Sequence, residues 1–144
     1  MRLTEHFDLA DFTLSQEAAR RGIDNTPPDE VLENLYILAM ALEEVRARLG
    51  CPIVISSGYR SPALNAAVGG APNSAHVLGY AADLTCPGFD APLSVCKAIA
   101  TLPDFKYDQC IYEWKSWVHL SIDPRGRMQT LTIDRNGTRK GLQP

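Results

Sequence analysis

The sequence has no long apolar run, no excess of positive charge and few histidines, and each shortage narrows what it can do. Its longest apolar stretch is LYILAMAL, residues 35–42, well below the ~20 residues that a membrane-spanning helix needs. The N-terminus, MRLTEHFDLADF, has one early Arg followed by acids, and lacks the apolar core of a secretory signal. A soluble chain, held in the compartment where it is made, is expected. Lys and Arg number 14 against 17 Asp and Glu, a net charge of -3. The charges are mixed along the chain with no basic stripe, which argues against a nucleic-acid partner. The four cysteines, Cys51, Cys86, Cys96 and Cys110, form no CxxC pair, so a cysteine zinc site has little support. An even count leaves room for disulfides, but free thiols in a reducing compartment are the expectation. Repeats, low-complexity tracts and Pro/Gly/Ser-rich linkers are all missing. The 144 residues therefore read as one domain, 1–144, large enough to bury roughly two-thirds of its unfolded surface.

What is present is a clear order of elements. Ser15–Arg21 is helix-prone and stops at Gly22. Thr26 offers an N-cap, Pro27 suits a first helical position, and Asp29 and Glu30 favour the positive end of the helix dipole. Val31, Leu35, Leu38, Leu42, Val45 and Leu49 follow at spacings of three and four, which predicts an amphipathic core helix ended by Gly50. Pro52–Ser56 is a β-branched run and reads as a strand. Ser61-Pro62 opens a short helix, and Gly69–Asn73 is a loop by composition. Tyr80–Leu84 is predicted as a strand and Asp90–Leu102 as a second long helix. Tyr107–Glu113, Trp117–Ile122 and Met128–Asp134 read as three strands of an antiparallel meander, and Asn136-Gly137 marks a tight turn. Helices first and strands later predict an α+β fold.

Only three histidines exist: His6, His76 and His119. His6 sits among acids and reads as a surface residue. His76 is joined to Asp83 by a stretch containing Gly79, Ala81 and Ala82, small residues that let backbone turn tightly and approach closely. An imidazole and a carboxylate are two suitable zinc ligands. On a strand, Trp117, His119 and Ser121 share one face, while Val118 and Leu120 point to the other, core-facing side. His119 is thus available as a third ligand, and two His with one carboxylate leave a coordination position open for catalysis. If Lys115-Ser116-Trp117 is a three-residue loop, Glu113 falls directly opposite His119, where it can serve as a general base without binding metal. Arg60, just past a predicted strand, can pair with a carboxylate or stabilise an oxyanion.

SGYRSPALNAAVGG, SAHVLGYAADL and YEWKSWVHLSI together resemble the zinc D-alanyl-D-alanine carboxypeptidase family. That family includes phage L-alanyl-D-glutamate endopeptidases and the D-Ala-D-Ala dipeptidases of vancomycin resistance. Ser74 through Asp83 fill every fixed position of its Ser-x-His-x-x-Gly-x-Ala-x-Asp pattern, and Trp117 and His119 fill its later Trp-x-His. The segment from Phe7 through SQEAARRGIDNTPP is similar to the phage-associated branch. The resemblance implies a hedgehog/DD-peptidase-like fold, an antiparallel sheet with helices packed on one side. It implies Zn2+ bound by His76, Asp83 and His119, Arg60 at the substrate or its oxyanion, and Ser74 helping to hold a substrate carboxylate. Many members place the catalytic Glu three residues before the last His, where this chain has Ser116. The branch it resembles carries its Glu earlier, at the position of Glu113. The function implied is hydrolysis of peptidoglycan stem peptides by a phage or prophage lysin, cytoplasmic until released to the cell wall. A second reading stays open: a non-catalytic, zinc-containing peptidoglycan-binding module or virion component of the same fold.

Overall fold

Alternation and helical periodicity decide most of the architecture. The structure is a computed structural model describing residues 1–144. Its elements are α1 (Leu9–Thr13), α2 (Gln16–Arg21), α3 (Asp29–Leu49), β1 (Val54–Ser57), α4 (Pro62–Ala67), β2 (Ala81–Thr85), α5 (Pro92–Ala100), β3 (Gln109–Glu113), β4 (Trp117–Ser121), β5 (Gln129–Asp134) and β6 (Gly137–Lys140). It is an α+β fold with one six-stranded sheet in the order β1-β2-β4-β3-β5-β6. No helix is long and apolar enough to cross a membrane.

Helix α3 buries Val31, Leu35, Leu38, Leu42 and Val45 along one stripe, and full burial of each such side chain is worth about 1.5–3 kcal/mol. The helix begins later than its sequence suggests: Pro28, not Thr26, is the N-cap residue. Thr26 instead donates its backbone N–H to the Asp24 side chain, a local turn that competes with helix entry. Helix α5 contributes Val95, Cys96 and Ile99 to the same core. These two helices pack on the sheet face carrying Ala82 and Leu84 of β2, Cys110 and Tyr112 of β3, and Val118 and Leu120 of β4. Helices α2 and α4 instead lie beside β1, where Glu17, Arg20 and Leu64 help to line a groove along that strand. The intervening residues of β2, β3 and β4, among them Asp83, Ile111, Glu113 and His119, point to the opposite face because side chains alternate along a strand.

The expected antiparallel meander does not form. Strand β4 already has β2 on one side and β3 on the other, so β5 cannot pair with it. The chain leaves β4 beside the start of β3 and enters β5 there, with Gln129 opposite Gln109. Strand β5 therefore runs parallel to β3, and the sheet is mixed rather than antiparallel. The connection is held by Asp108, whose Oδ1 accepts from the backbone N–H of Arg127 (3.0 Å) and its Nε (2.8 Å), while Oδ2 accepts from Nη2 (2.8 Å). Asp108 is 1% exposed, and the hydrogen bonds from Arg127 hold its carboxyl below the usual carboxylate range. The Asn136-Gly137 signal marks a real turn: Asp134 pairs with Gly137 around Arg135-Asn136, and this hairpin adds β6, a strand not expected from the sequence.

The four cysteines are free, with Cys86, Cys96 and Cys110 buried and Cys51 half-buried. Burial, and then the neighbouring Cys51, push the Cys86 thiol up to about 11, which disfavours the reactive thiolate. His6 is exposed, as expected of a surface residue, and its Nδ1 lies 2.7 Å from Glu43 Oε1.

Candidate active site

Two glycines let the loops come close enough to build the site. Gly58 follows β1, and a Cβ there would lie 2.6 Å from the backbone oxygen of Phe12. Its own carbonyl is 2.7 Å from His76 Nδ1. Gly79 has φ +78°, and a Cβ there would meet Val31 of α3 at 2.9 Å. That packing seats the loop carrying His76 against the core helix just before β2 begins. The loop is also tied at Arg60, whose backbone N–H donates to the His76 carbonyl (3.2 Å).

The sheet supplies the rest. Asp83 of β2 is directly opposite His119 of β4, so their side chains rise from the same face. His119 Nδ1 lies 3.0 Å from Asp83 Oδ1, and His76 Nε2 lies 3.3 Å from the same oxygen. The two imidazole rings meet edge to face with centroids 5.0 Å apart. His76, Asp83 and His119 are all buried, at 3%, 8% and 8% exposure. One donor atom from each lies within 4.8 Å of the others, so the trio could hold a metal ion.

The donor chemistry fits a divalent cation. Burial alone would raise the Asp83 carboxyl, but hydrogen bonds from His119 and His76 outweigh it and hold the group well below the usual carboxylate range. The cluster therefore keeps a buried negative charge, which needs a positive partner. With its proton on Nδ1, donated to the Gly58 carbonyl, His76 would present the Nε2 lone pair to a metal ion held beside Asp83, in place of a hydrogen bond to that carboxylate. An outer hydrogen bond of this kind fixes the tautomer and orientation of metal-binding histidines.

Glu113 stands beside the trio, but not where the expected loop would put it. The β3–β4 loop is Trp114-Lys115-Ser116, not Lys115-Ser116-Trp117, so Glu113 pairs with Trp117 and Ile111 pairs with His119. Glu113 is instead a diagonal neighbour of His119 on the same face, and its long side chain spans the offset. Glu113 Oε1 lies 3.5 Å from His119 Nδ1. The loop moves because Trp114 and Lys115 both adopt positive φ, 54° and 56°, closing a tight turn in which Ser116 N–H donates to the Glu113 carbonyl (3.0 Å). Burial pushes the Glu113 carboxyl up, the negative Asp83 adds to this, and His119 and Arg60 oppose it.

Arg60 is half-buried, and burial lowers its pKa against the opposing pull of Asp83 and Glu113. Its Nη2 donates to Ser74 Oγ (3.3 Å), while its buried Nε has no partner. Ser74 Oγ also accepts the His76 backbone N–H (3.3 Å), so Ser74 links the arginine to the histidine loop. These residues share one cleft of about 780 Å³. Sequence reading missed several of its walls: Trp114, Trp117, Ile133 and the Asp108–Arg127 pair also line it. Alternation gave a signal for Trp117, which shares a face with His119. The others reach the cleft only through the loop and the parallel strand.

None of the curated proteins compared with the chain matches it. The Peptidase M15 family does, over residues 5–121, a span that includes α3, the histidine loop, Asp83, Glu113 and His119. This chain therefore belongs to the Peptidase M15 family.

Proposed function

We propose that this chain is a zinc-dependent peptidase that hydrolyses a peptide bond in bacterial peptidoglycan stem peptides, of the D-Ala-D-Ala carboxypeptidase or L-Ala-D-Glu endopeptidase type. The observation that carries the reading is Glu113: its carboxylate is 3.5 Å from His119 yet outside the three-residue donor cluster. A module that only grips its ligand has no need of such a carboxylate. Family membership supports the peptidase chemistry.

In this reading His76 Nε2, Asp83 Oδ1 and His119 Nδ1 would hold zinc. When bound, the metal would supply Lewis acidity to the scissile carbonyl and to the attacking water. Glu113 Oε1 takes the proton from the attacking water and delivers it to the leaving amine nitrogen. Arg60 donates to the oxygen on which charge develops, and Ser74 Oγ orients that guanidinium and helps to hold a substrate carboxylate. The similarity of the segment from Phe7 to Pro28 to the phage-associated branch favours a phage or prophage lysin.

The direct test is to digest purified peptidoglycan with the zinc-loaded chain and identify the new termini by mass spectrometry. Released D-Ala marks a carboxypeptidase, and a new L-Ala carboxyl paired with a D-Glu amine marks an endopeptidase. No new terminus of either kind replaces this reading with the binding module. Arg60→Ala should lower turnover on the order of 10²-fold, the usual loss for one oxyanion donor, while metal content stays at the parent level. Near-parent turnover in that variant would reduce Arg60 to a scaffold residue.

A further inference from the structure

The tips of two hairpins lie side by side at the mouth of the cleft. Trp114 N–H donates to the Ile133 carbonyl (2.7 Å), which fixes the β3–β4 tip against the end of β5, next to the Arg135-Asn136 turn. Between the tips is a depression of about 350 Å³ lined by Trp114, Lys115, Asp134, Arg135 and Asn136. Trp114 also lines the catalytic cleft, so the two spaces share a wall.

Two features set the Trp114 side chain apart from the residues of the core. It is 50% exposed, contributing nothing to the core cluster. It also occupies, with Lys115, a pair of positive-φ positions, where a turn of this kind favours Asn-Gly. A bulky residue in the left-handed region is a genuine outlier, and such strain persists where a side chain is held for function. Ser116 keeps it in place, with its backbone N–H on the Glu113 carbonyl and its Oγ on the Trp114 carbonyl (2.9 Å).

The lining is one indole beside the Lys115 ammonium and the planar polar groups of Asp134, Arg135 and Asn136. A pyranose ring has a complementary surface: a flat C–H face that lies against an aromatic face, and a rim of hydroxyls that needs amide, guanidinium or carboxylate partners. Asn136 and Arg135 are exposed and supply donors. The Asp134 carboxylate accepts from Asn136 N–H (2.9 Å) and Arg139 Nη2 (2.7 Å), which holds that edge rigid.

We propose that the two hairpin tips form a pyranose-binding subsite, walled by Trp114 and edged by Arg135 and Asn136, contiguous with the catalytic cleft. Resting on the function proposed above, its occupant is the amino sugar of the glycan strand that carries the stem peptide.

The test uses the metal-free full chain and the N-acetylglucosamine tetramer, which contains no peptide, with binding read by tryptophan fluorescence and by NMR shifts of the indole N–H groups. The wild type should bind the tetramer. Trp114→Gly should weaken that binding at least ~10-fold, yet melt at or above the wild-type temperature, because glycine relieves the positive φ. Asn136→Ala should weaken it several-fold without touching the turn strain. In the zinc-loaded enzyme, preference for glycan-linked over free stem peptide should fall towards unity in Trp114→Gly. Wild-type chain that ignores the tetramer, or Trp114→Gly that binds it at wild-type strength, overturns the subsite. So does a sharp drop in melting temperature accompanying the lost binding, since Trp114 would then be structural. Tetramer binding is measured without turnover: binding in a chain that cleaves no stem peptide supports the subsite and removes the peptidase reading alone.

Discussion

Glu113→Gln should fold, bind one zinc per chain and lose hydrolysis by ~10²–10⁴-fold, the range for a missing general base. The amide keeps the size of the side chain and one acceptor oxygen, but cannot take a proton. Because Glu113 lies outside the His76, Asp83 and His119 cluster, the metal should be indifferent to the change. Two measurements on the same preparation decide it: metal content by elemental analysis and the rate of release of new peptide termini. Parent-level hydrolysis would remove Glu113 from the chemistry. A parallel loss of metal would make it a ligand rather than a base.

His119→Ala should abolish stoichiometric zinc and, with it, the stabilisation that zinc gives the fold. A ligand that binds only the native state at 100 times its dissociation constant adds about 2.7 kcal/mol. The wild-type melting temperature should therefore climb with added zinc by several degrees, whereas that of His119→Ala should stay flat. His119 Nδ1 is the closer of the two imidazole contacts to Asp83 Oδ1, at 3.0 Å, so its removal leaves a pair of donors and a less well-satisfied buried carboxylate. His76→Ala should behave alike. Zinc titration followed by calorimetry and thermal melts gives the answer, and an undiminished zinc response in His119→Ala would refute the assigned ligand set.

Several parts of the site were readable because they are local. Ser74 through Asp83 span a single loop and the start of one strand, so their spacing offered His76 and Asp83 as candidate ligands and the resemblance of the motif to the family pattern singled them out. The face of β4 was equally readable: Val118 and Leu120 are each fully buried in the core, and alternation then puts His119 on the opposite face. The position of Glu113 was readable only in part. Its face follows from alternation, but its partner depends on which residues close the turn. A one-residue shift of that turn moved the partner by two residues, from His119 to Trp117, without changing the face.

The sequence by itself determined the α+β composition, the stripe of α3, the segments of β1 to β5 and, through the family resemblance of its motifs, the three metal-binding candidates, because each depends on a period, spacing or motif within one stretch of chain. Tertiary structure decided the rest. Strand β5 runs parallel to β3 because both edges of β4 are taken, and the Asp108–Arg127 pair fastens the connection that makes this possible. The turn at Trp114 and Lys115 closes with positive φ in residues that disfavour it, a choice local propensity would reject. Strand partners and turn conformations are set by which edges remain free once the core has packed, and that competition among distant segments has no local period to read.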